Sequence, residues 1–435
     1  GQSTMPFLHG FRRIVLEYQP LVDELLGLLA TPGKARQSSL ESPACLDSDR
    51  SQLSAVRRVL ERETHSPFYQ EGVSYALLKV TELGLVPAAE ILLEFGADLS
   101  FEDPVTYYTP LHMAVLRNQP DMVELLVHHG ADINRRDRPL PEEGLSLPVF
   151  GYLVGGVDCF PSCLLGCHPV VLCLTDCSIA GKTALLHALA SSDSGQIHNT
   201  DSIRLLLEGG ADVRAATKDG DTVFTYVIYL LGEMAYSYTE EEAEDIERFC
   251  FRVTQLLLAH GANPSECPAS ESLTHFCLKS FEDYFPLLRF LLESGAAYNC
   301  SLHGPSCWSG FHITFEHLCC HLSRFENETY CTDLIQKGQT LLELMMASSQ
   351  AIQLPSNFEV NTSSCRFHGE KVQTLFCSLK QLERSPQALK HLCRVFIRQR
   401  LKPWPVDDKI KALPLPDRLK WYLRIDHAAA GHEDL

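Results

Sequence analysis

Basic residues are scarce in this chain. Its 435 residues carry 37 Lys and Arg against 55 Asp and Glu, a net charge of −18. Grip on a phosphate backbone needs a basic face, so the composition argues against nucleic acid as a partner. The first twenty residues, GQSTMPFLHGFRRIVLEYQP, lack the continuous apolar run of a secretory leader. The 17 cysteines therefore read as reduced thiols, buried or partner-facing, in a cytoplasmic or nuclear protein. Three Asn-x-Ser/Thr sites, at Asn299, Asn327 and Asn361, then count as chance matches.

Catalytic signatures are missing too. No HExxH and no nucleophile elbow occurs. The stretch AGKTALL (180–186) ends like a phosphate loop, but Asp176 stands where that loop needs glycine. The reading is a non-catalytic protein with no cofactor and no metal. An apolar fraction of 45% nevertheless supports a real core.

What is present is a repeat. LLEFGADLSFED ends at Asp103 and LLVHHGADINRRD at Asp137, with Gly96 and Gly130 spaced 34 residues apart. The phrase returns around Gly210, Gly261 and Gly295. A second signature precedes it: TPLHMAVLRN (109–118), KTALLHALAS (182–191), DTVFTYVIYL (221–230) and ESLTHFCLKS (271–280). Thr109 can cap a helix whose first position is Pro110. Leu111, Ala114 and Val115 then share one face. A second helix, 122–128, closes at Gly130, a position suited to left-handed backbone. Each pair can bury its apolar face only against its neighbour, so the array must stack. His112 and His275 read as structural hydrogen-bonders within it.

Two stretches break the period. Between Gly210 and Gly261 lies SYTEEEAEDIER, where six of the eight residues 240–247 are acidic. A solvated helical insert is the preferred reading, an acidic finger for a basic partner the other. Residues 138–180 hold five Pro, five Gly, five Cys and no Lys. A membrane span there is interrupted by Pro148, Pro161 and Pro169, and would split one stack across two compartments. Metal binding by Cys159, Cys163, Cys167, Cys173 and Cys177 lacks the usual CxxC spacing. An insert or a replaced repeat remains, and it predicts a weakened stack.

The C-terminal stretch SPQALKHLCRVFIRQRLKPWPV (385–406) reads as a helix starting at Ser385 or Pro386. Leu389, Leu392, Cys393, Phe396, Ile397 and Leu401 form its apolar stripe, with Lys390, Arg394, Arg398 and Arg400 on other faces. On periodicity alone the stripe caps the repeat core. Residues 386–424 hold ten basic and three acidic residues, read as a solvated basic face, with steering toward acidic partners as the alternative. In KALPLPDRL (411–419), the prolines predict a stiff extended segment that holds Leu413 and Leu415 out. It is either a packed linker or a docking peg.

The order of these motifs resembles a known family. Leu-x3-Cys-x3-Ile, then Leu-Pro-Leu-Pro, then Leu-x2-Tyr-Leu (Leu419, Tyr422, Leu423) looks like a SOCS box. Following repeats that resemble ankyrin repeats, it makes the chain similar to the ankyrin repeat and SOCS box family. The resemblance covers most of the chain but not 138–180. It implies an all-α fold, an ankyrin-repeat solenoid followed by a C-terminal three-helix SOCS box. The expected layout is an N-terminal helical region (1–65), ankyrin repeats (66–137), the unusual stretch (138–180), further repeats with the last degenerate (181–345), a linker and helix (346–384), the box (385–424) and a disordered tail (425–435). The resemblance implies a BC box at Leu389, Leu392, Cys393, Phe396 and Ile397 that binds elongin C, with elongin B following. It implies a cullin box at Leu413, Pro414, Leu415 and Pro416 that selects cullin-5 with its RING protein. The chain would then be a ubiquitin-ligase substrate receptor, holding an unidentified target on its repeats. Exposed positions between repeats, such as Tyr107, Tyr108, Arg135 and Arg136, are the target-binding candidates. The alternative is an ankyrin scaffold without a ligase link, its terminal helices serving as a cap.

Overall fold

Wherever the two signatures follow one another, two helices form. The computed structural model describes residues 17–29, 43–104, 106–138, 181–191, 199–234, 239–265, 271–300, 307–354, 358–363, 365, 368–402 and 406–425. These residues form 18 helices, and their only β-structure is an isolated bridge between Asn299 and Ser309. Among them no helix is long and apolar enough to cross a membrane. The chain divides into two compact units after Val223.

The first unit stacks four helix pairs. They are α1 (Gln19–Leu29) with α2 (Pro43–Glu63), α3 (Tyr69–Glu82) with α4 (Val86–Glu94), α5 (Pro110–Leu116) with α6 (Pro120–His128), and α7 (Ala184–Ala190) with α8 (Thr200–Glu208). First helices pack on first helices and second on second, in chain order. Val22, Leu77, Leu111, Ala114, Leu126 and Leu185 are among the side chains the stack buries. As expected, Thr109 caps α5, accepting from the backbone N–H of His112, while Nδ1 of His112 accepts from the backbone N–H of Thr109. The glycines that end the repeated phrase, Gly96, Gly130, Gly210, Gly261 and Gly295, have φ between 87° and 94°, where a Cβ would clash with the following carbonyl. Gly209 serves closeness instead: a Cβ there would meet Ile133 Cδ1 at 2.7 Å.

Residues 139–180 lie outside the described residues, and with them the five cysteines, three prolines and Asp176 discussed above. Their flanks, however, meet directly. Asp137 Oδ1 accepts from the N–H of Gly181 at 2.6 Å and of Lys182 at 2.8 Å, and Asp137 N–H donates to the Lys182 carbonyl at 3.0 Å. Nε2 of His187 donates to Asp137 Oδ2 at 2.9 Å. Burial acts against it, but these hydrogen bonds hold the Asp137 carboxyl below its usual range. Consequently α5 and α6 pack straight onto α7 and α8, as neighbouring pairs do.

The second unit contains α9 (Val223–Glu233), α10 (Glu240–Ala259), α11 (Leu273–Lys279), α12 (Phe285–Glu293), α13 (Gly310–Arg324), α14 (Glu328–Ser348) and α15 (Gly369–Arg384). The acidic run becomes the exposed first turns of α10, capped by Thr239. Glu240, Glu241 and Glu242 sit at its positive end, a favourable place for carboxylates. The α11–α12 and α13–α14 pairs stack as in the first unit, and α15 closes over α13 through Val372, Phe376 and Leu379. His275, on α11, pairs with Glu271 at 2.8 Å and stacks on Trp308, a structural role like that of His112.

His112 supplies a pH test. It is buried, and its Nε2 donates to the Arg135 carbonyl at 3.1 Å. Burial, helped by the nearby His187, lowers its pKa from 6.5 to about 3. The unfolded chain therefore binds the proton more readily. Stability is full above the unfolded value and falls as pH drops from 6.5 toward about 3, by up to about 1.4 kcal/mol per pH unit from this residue. Thermal melts between pH 7 and pH 4 should show a shallower acid loss for His112→Gln than for the native chain; equal slopes would contradict the assignment.

Candidate partner-docking helix

A proline sets where the terminal helices begin. Ser385, expected to open a helix, instead ends α15 with ψ 138°, because Pro386 disfavours helical backbone in the residue before it. Ala388, at φ −62° and ψ 140°, caps α16 (Leu389–Arg400). Two short helices follow, α17 (Val406–Ala412) and α18 (Asp417–Leu423).

The apolar stripe of α16 points away from the body. Leu389 is 77% exposed and Phe396 55%, Cys393 is exposed, and Leu392 and Ile397 are half-buried. The side turned inward carries His391, Arg394, Val395 and Arg398, and Arg394 and Arg398 are 8% and 5% exposed. The solvated basic face expected from composition is therefore corrected at these two arginines, as is the stripe as a cap on the repeat core.

Each inward polar group meets a carbonyl at the end of a helix. His391 Nε2 donates to the Ser349 carbonyl at 2.7 Å and Arg394 Nη2 to that of Ala347 at 3.3 Å, both at the C-terminus of α14. Arg398 donates to the carbonyl of Glu293, the last residue of α12, and at 2.9 Å to that of Leu423, the last residue of α18. It also pairs with Asp407 of α17 at 3.5 Å. The final carbonyls of a helix have no partner within it and carry its partial negative charge, so cations suit them. Tyr422 adds a ring beneath Lys390 Nζ at 4.3 Å and the Arg394 guanidinium at 5.0 Å. Burial lowers the Arg394 pKa from its ordinary value, with Tyr422 opposing. Val406, Ile410, Leu423 and Ile425 complete a small buried cluster.

The Leu-Pro-Leu-Pro segment joins α17 to α18. It is not straight, as its prolines suggested. The Leu415 N–H donates to the Leu413 carbonyl at 2.8 Å, bending the chain at Pro414. Pro414 and Pro416 are exposed, while Leu413 and Leu415 are half-buried rather than held out. On α18, Leu419 and Trp421 are 49% and 40% exposed. Four of the nine large exposed hydrophobics among the described residues thus fall within 385–424, a local concentration of exposed apolar side chains.

The target-binding candidates lie in the first unit. Tyr107 has φ 58° and Tyr108 packs edge-on against His187 at 5.3 Å. Arg135 pairs with Glu102 at 2.6 Å, and Arg136 donates to the Gly181 carbonyl at 2.8 Å and to that of Ala216. Three of the four thus make contacts that hold the stack.

Stacked ankyrin-type helix pairs and a terminal helix with an outward apolar face are features of an adaptor, a protein that connects other proteins. Comparison with known proteins agrees. The SOCS box family model matches residues 385–424 and the ankyrin repeat model residues 106–138. The chain is 61% identical over 440 residues to ankyrin repeat and SOCS box protein 6 of Pongo abelii and to that of Homo sapiens, covering 99% of this chain and 100% of each relative. It is 60% identical over 433 residues to the Mus musculus protein, covering 98% of this chain and 99% of that one. The chain belongs to the ankyrin repeat and SOCS box family.

Arg398 should prove structural, and the stripe should not. Arg398→Met leaves two helix-end carbonyls without their charged donor. It should lower the denaturation free energy of the second unit by about 1.5–3 kcal/mol or more. Phe396→Ser should change it by less than about 0.5 kcal/mol. Urea melts with hydrogen exchange over 385–425 measure both, and a larger loss for Phe396→Ser than for Arg398→Met would reverse the assignment of faces.

Proposed function

We propose that the chain is the substrate-receptor subunit of a cullin-5 RING ubiquitin ligase. The outward apolar stripe of α16 carries this reading. Leu389, Cys393 and Ile397 recur at one helical step of four, and the small Cys393 thiol between two aliphatics leaves a notch for close approach. They would enter a pocket on elongin C, with elongin B bound beyond it. Burial of each large side chain supplies on the order of 1.5–3 kcal/mol before ordering is subtracted. Leu413, Pro414, Leu415 and Pro416 would meet cullin-5, the prolines reducing the ordering that docking requires. The repeats would hold a target protein and so raise its effective concentration at the ubiquitin donor, leading to its ubiquitination and proteasomal degradation. The adaptor itself performs no chemistry in this scheme. Tyr107, Tyr108, Arg135 and Arg136 mark the repeat edge where a target would first be sought.

A plain ankyrin scaffold is the competing reading, and the inward arginines of α16 favour it to the extent that they tie the helix to its own body. The two readings part at the outward face. Leu389→Asp with Cys393→Phe should abolish co-purification of elongin B/C at an unchanged melting temperature. Replacing Leu413, Pro414, Leu415 and Pro416 by alanine should keep elongin but lose cullin-5 and target ubiquitination. Elongin B/C retained at the native level by the first variant would leave the scaffold reading standing.

A further inference from the structure

We propose that Glu282, His317 and His321 form a binding site for a divalent cation of the zinc type. The three ligand atoms lie within 4.8 Å of one another. Glu282 stands in the turn between α11 and α12, held by the buried Phe281 and Tyr284 on either side. The Tyr284 hydroxyl donates to the Leu231 carbonyl at 3.1 Å. The turn is therefore fixed before any ligand arrives.

His317 and His321 are one turn apart on α13. Their rings stack at 4.1 Å and 20°, so their edges address the same point. His317 Nε2 is 2.6 Å from one Glu282 oxygen and His321 Nδ1 3.2 Å from the other. Phe281 lies against His317 at 4.7 Å and Phe325 against His321 at 5.7 Å, closing the imidazoles between two aromatic walls. The Tyr330 hydroxyl reaches His321 Nδ1 at 2.9 Å. The side chains are 9%, 23% and 16% exposed at His317, His321 and Glu282, so the cluster opens to solvent on the His321 side.

Two imidazoles and one carboxylate are a ligand set that zinc takes, with a fourth position left open. Two neutral rings can each donate one N–H to a different Glu282 oxygen, and a cation on the ring nitrogens would take the place of those two protons. Zinc bonds of about 2.0–2.1 Å place ligand atoms about 3.3 Å apart, so His317 Nε2 would move out from its 2.6 Å contact with Glu282 while His321 Nδ1 keeps close to its 3.2 Å. The charged groups facing the cluster are Glu282 and Asp283 against Arg324 and Lys337, with no net positive charge to repel a cation. A bound ion would clip the α11–α12 turn to α13 and stiffen the second unit.

The test uses the full chain, freed of metal by a chelator. Zinc titration should find one site that His317→Gln with His321→Gln weakens by more than about 100-fold, since supporting partners alone are worth about 10–100-fold. Tyr330→Phe keeps all three ligands and should keep the site. Cobalt(II) distinguishes this site from the chain's many thiols, because thiolate coordination adds intense near-ultraviolet bands that nitrogen and oxygen ligands do not. An equal stoichiometry in the native chain and the double-Gln variant overturns the proposal. If that variant does not fold, the native cobalt spectrum decides. Bands of a nitrogen–oxygen site support the assignment, and thiolate bands alone or no bands overturn it.

Discussion

Hydrogen-bond donors at helix C-termini decide what the terminal box presents. The ends of α12, α14 and α18 leave carbonyls that no residue of their own helices can satisfy. His391, Arg394 and Arg398 of α16 meet them. Three directional hydrogen-bonding side chains on one face leave α16 one rotation about its axis. Apolar burial is non-directional and would have accepted the opposite face as readily. With the arginines inside, Leu389, Cys393 and Phe396 have nowhere to go but outward. The outward apolar face is the consequence of how the helix is fastened.

This inversion also marks where sequence reasoning reached its limit. A period of 3.6 reports which residues share a face and says nothing about which way the face turns. The rule that apolar means inside runs one way only. The stripe of α16 was legible residue by residue, and its outward direction came only through the family resemblance. Its counterpart, the buried arginine face, left one trace in the sequence, the basic excess of a short stretch in an acidic chain. That trace reads as solvated surface until the carbonyls opposite are known, and those belong to residues as far away as Glu293. The repeats were far more legible because their signals are local. A capping threonine, a proline in the first turn and a left-handed glycine each act within a few residues, and Thr109, Pro110 and Gly130 stand where the spacing put them.

The stretch 138–180 shows the same contrast between local and distant information. A break in periodicity is visible there, and it suggests a weakened stack. A solenoid is held by contacts between successive pairs, and the long connection between α6 and α7 leaves the contacts of its flanking pairs in place. Lengthening such a connection adds only about 0.6 kcal/mol of closure entropy for each doubling. What matters is whether its two ends are brought together. Asp137 does this, accepting from two backbone N–H groups and from His187 on the far flank. Nothing in the composition of the intervening residues bears on that bracket.

Similar apolar faces recur on every pair, so apolar contact alone specifies poorly which pair follows which. Among the described residues the polar clips differ from one junction to the next in their side chains. Asp137 with Gly181, Lys182 and His187 belongs to one junction, Glu282 with His317 and His321 to another, and Arg398 with Glu293 and Leu423 to a third. Each joins residues far apart in the chain, and each has groups that would stay unpaired in any other order. A buried polar group left without its partner is penalised more heavily than a satisfied one is rewarded. The apolar stack therefore supplies the bulk of cohesion, and these clips supply order. The histidine pair on α13 was visible in HITFEHLCCHL as two residues one turn apart. It reads as a site only beside Glu282, 35 residues earlier than His317 and on another helix pair. Chemistry assembled across a junction of the stack is the kind a single sequence conceals best.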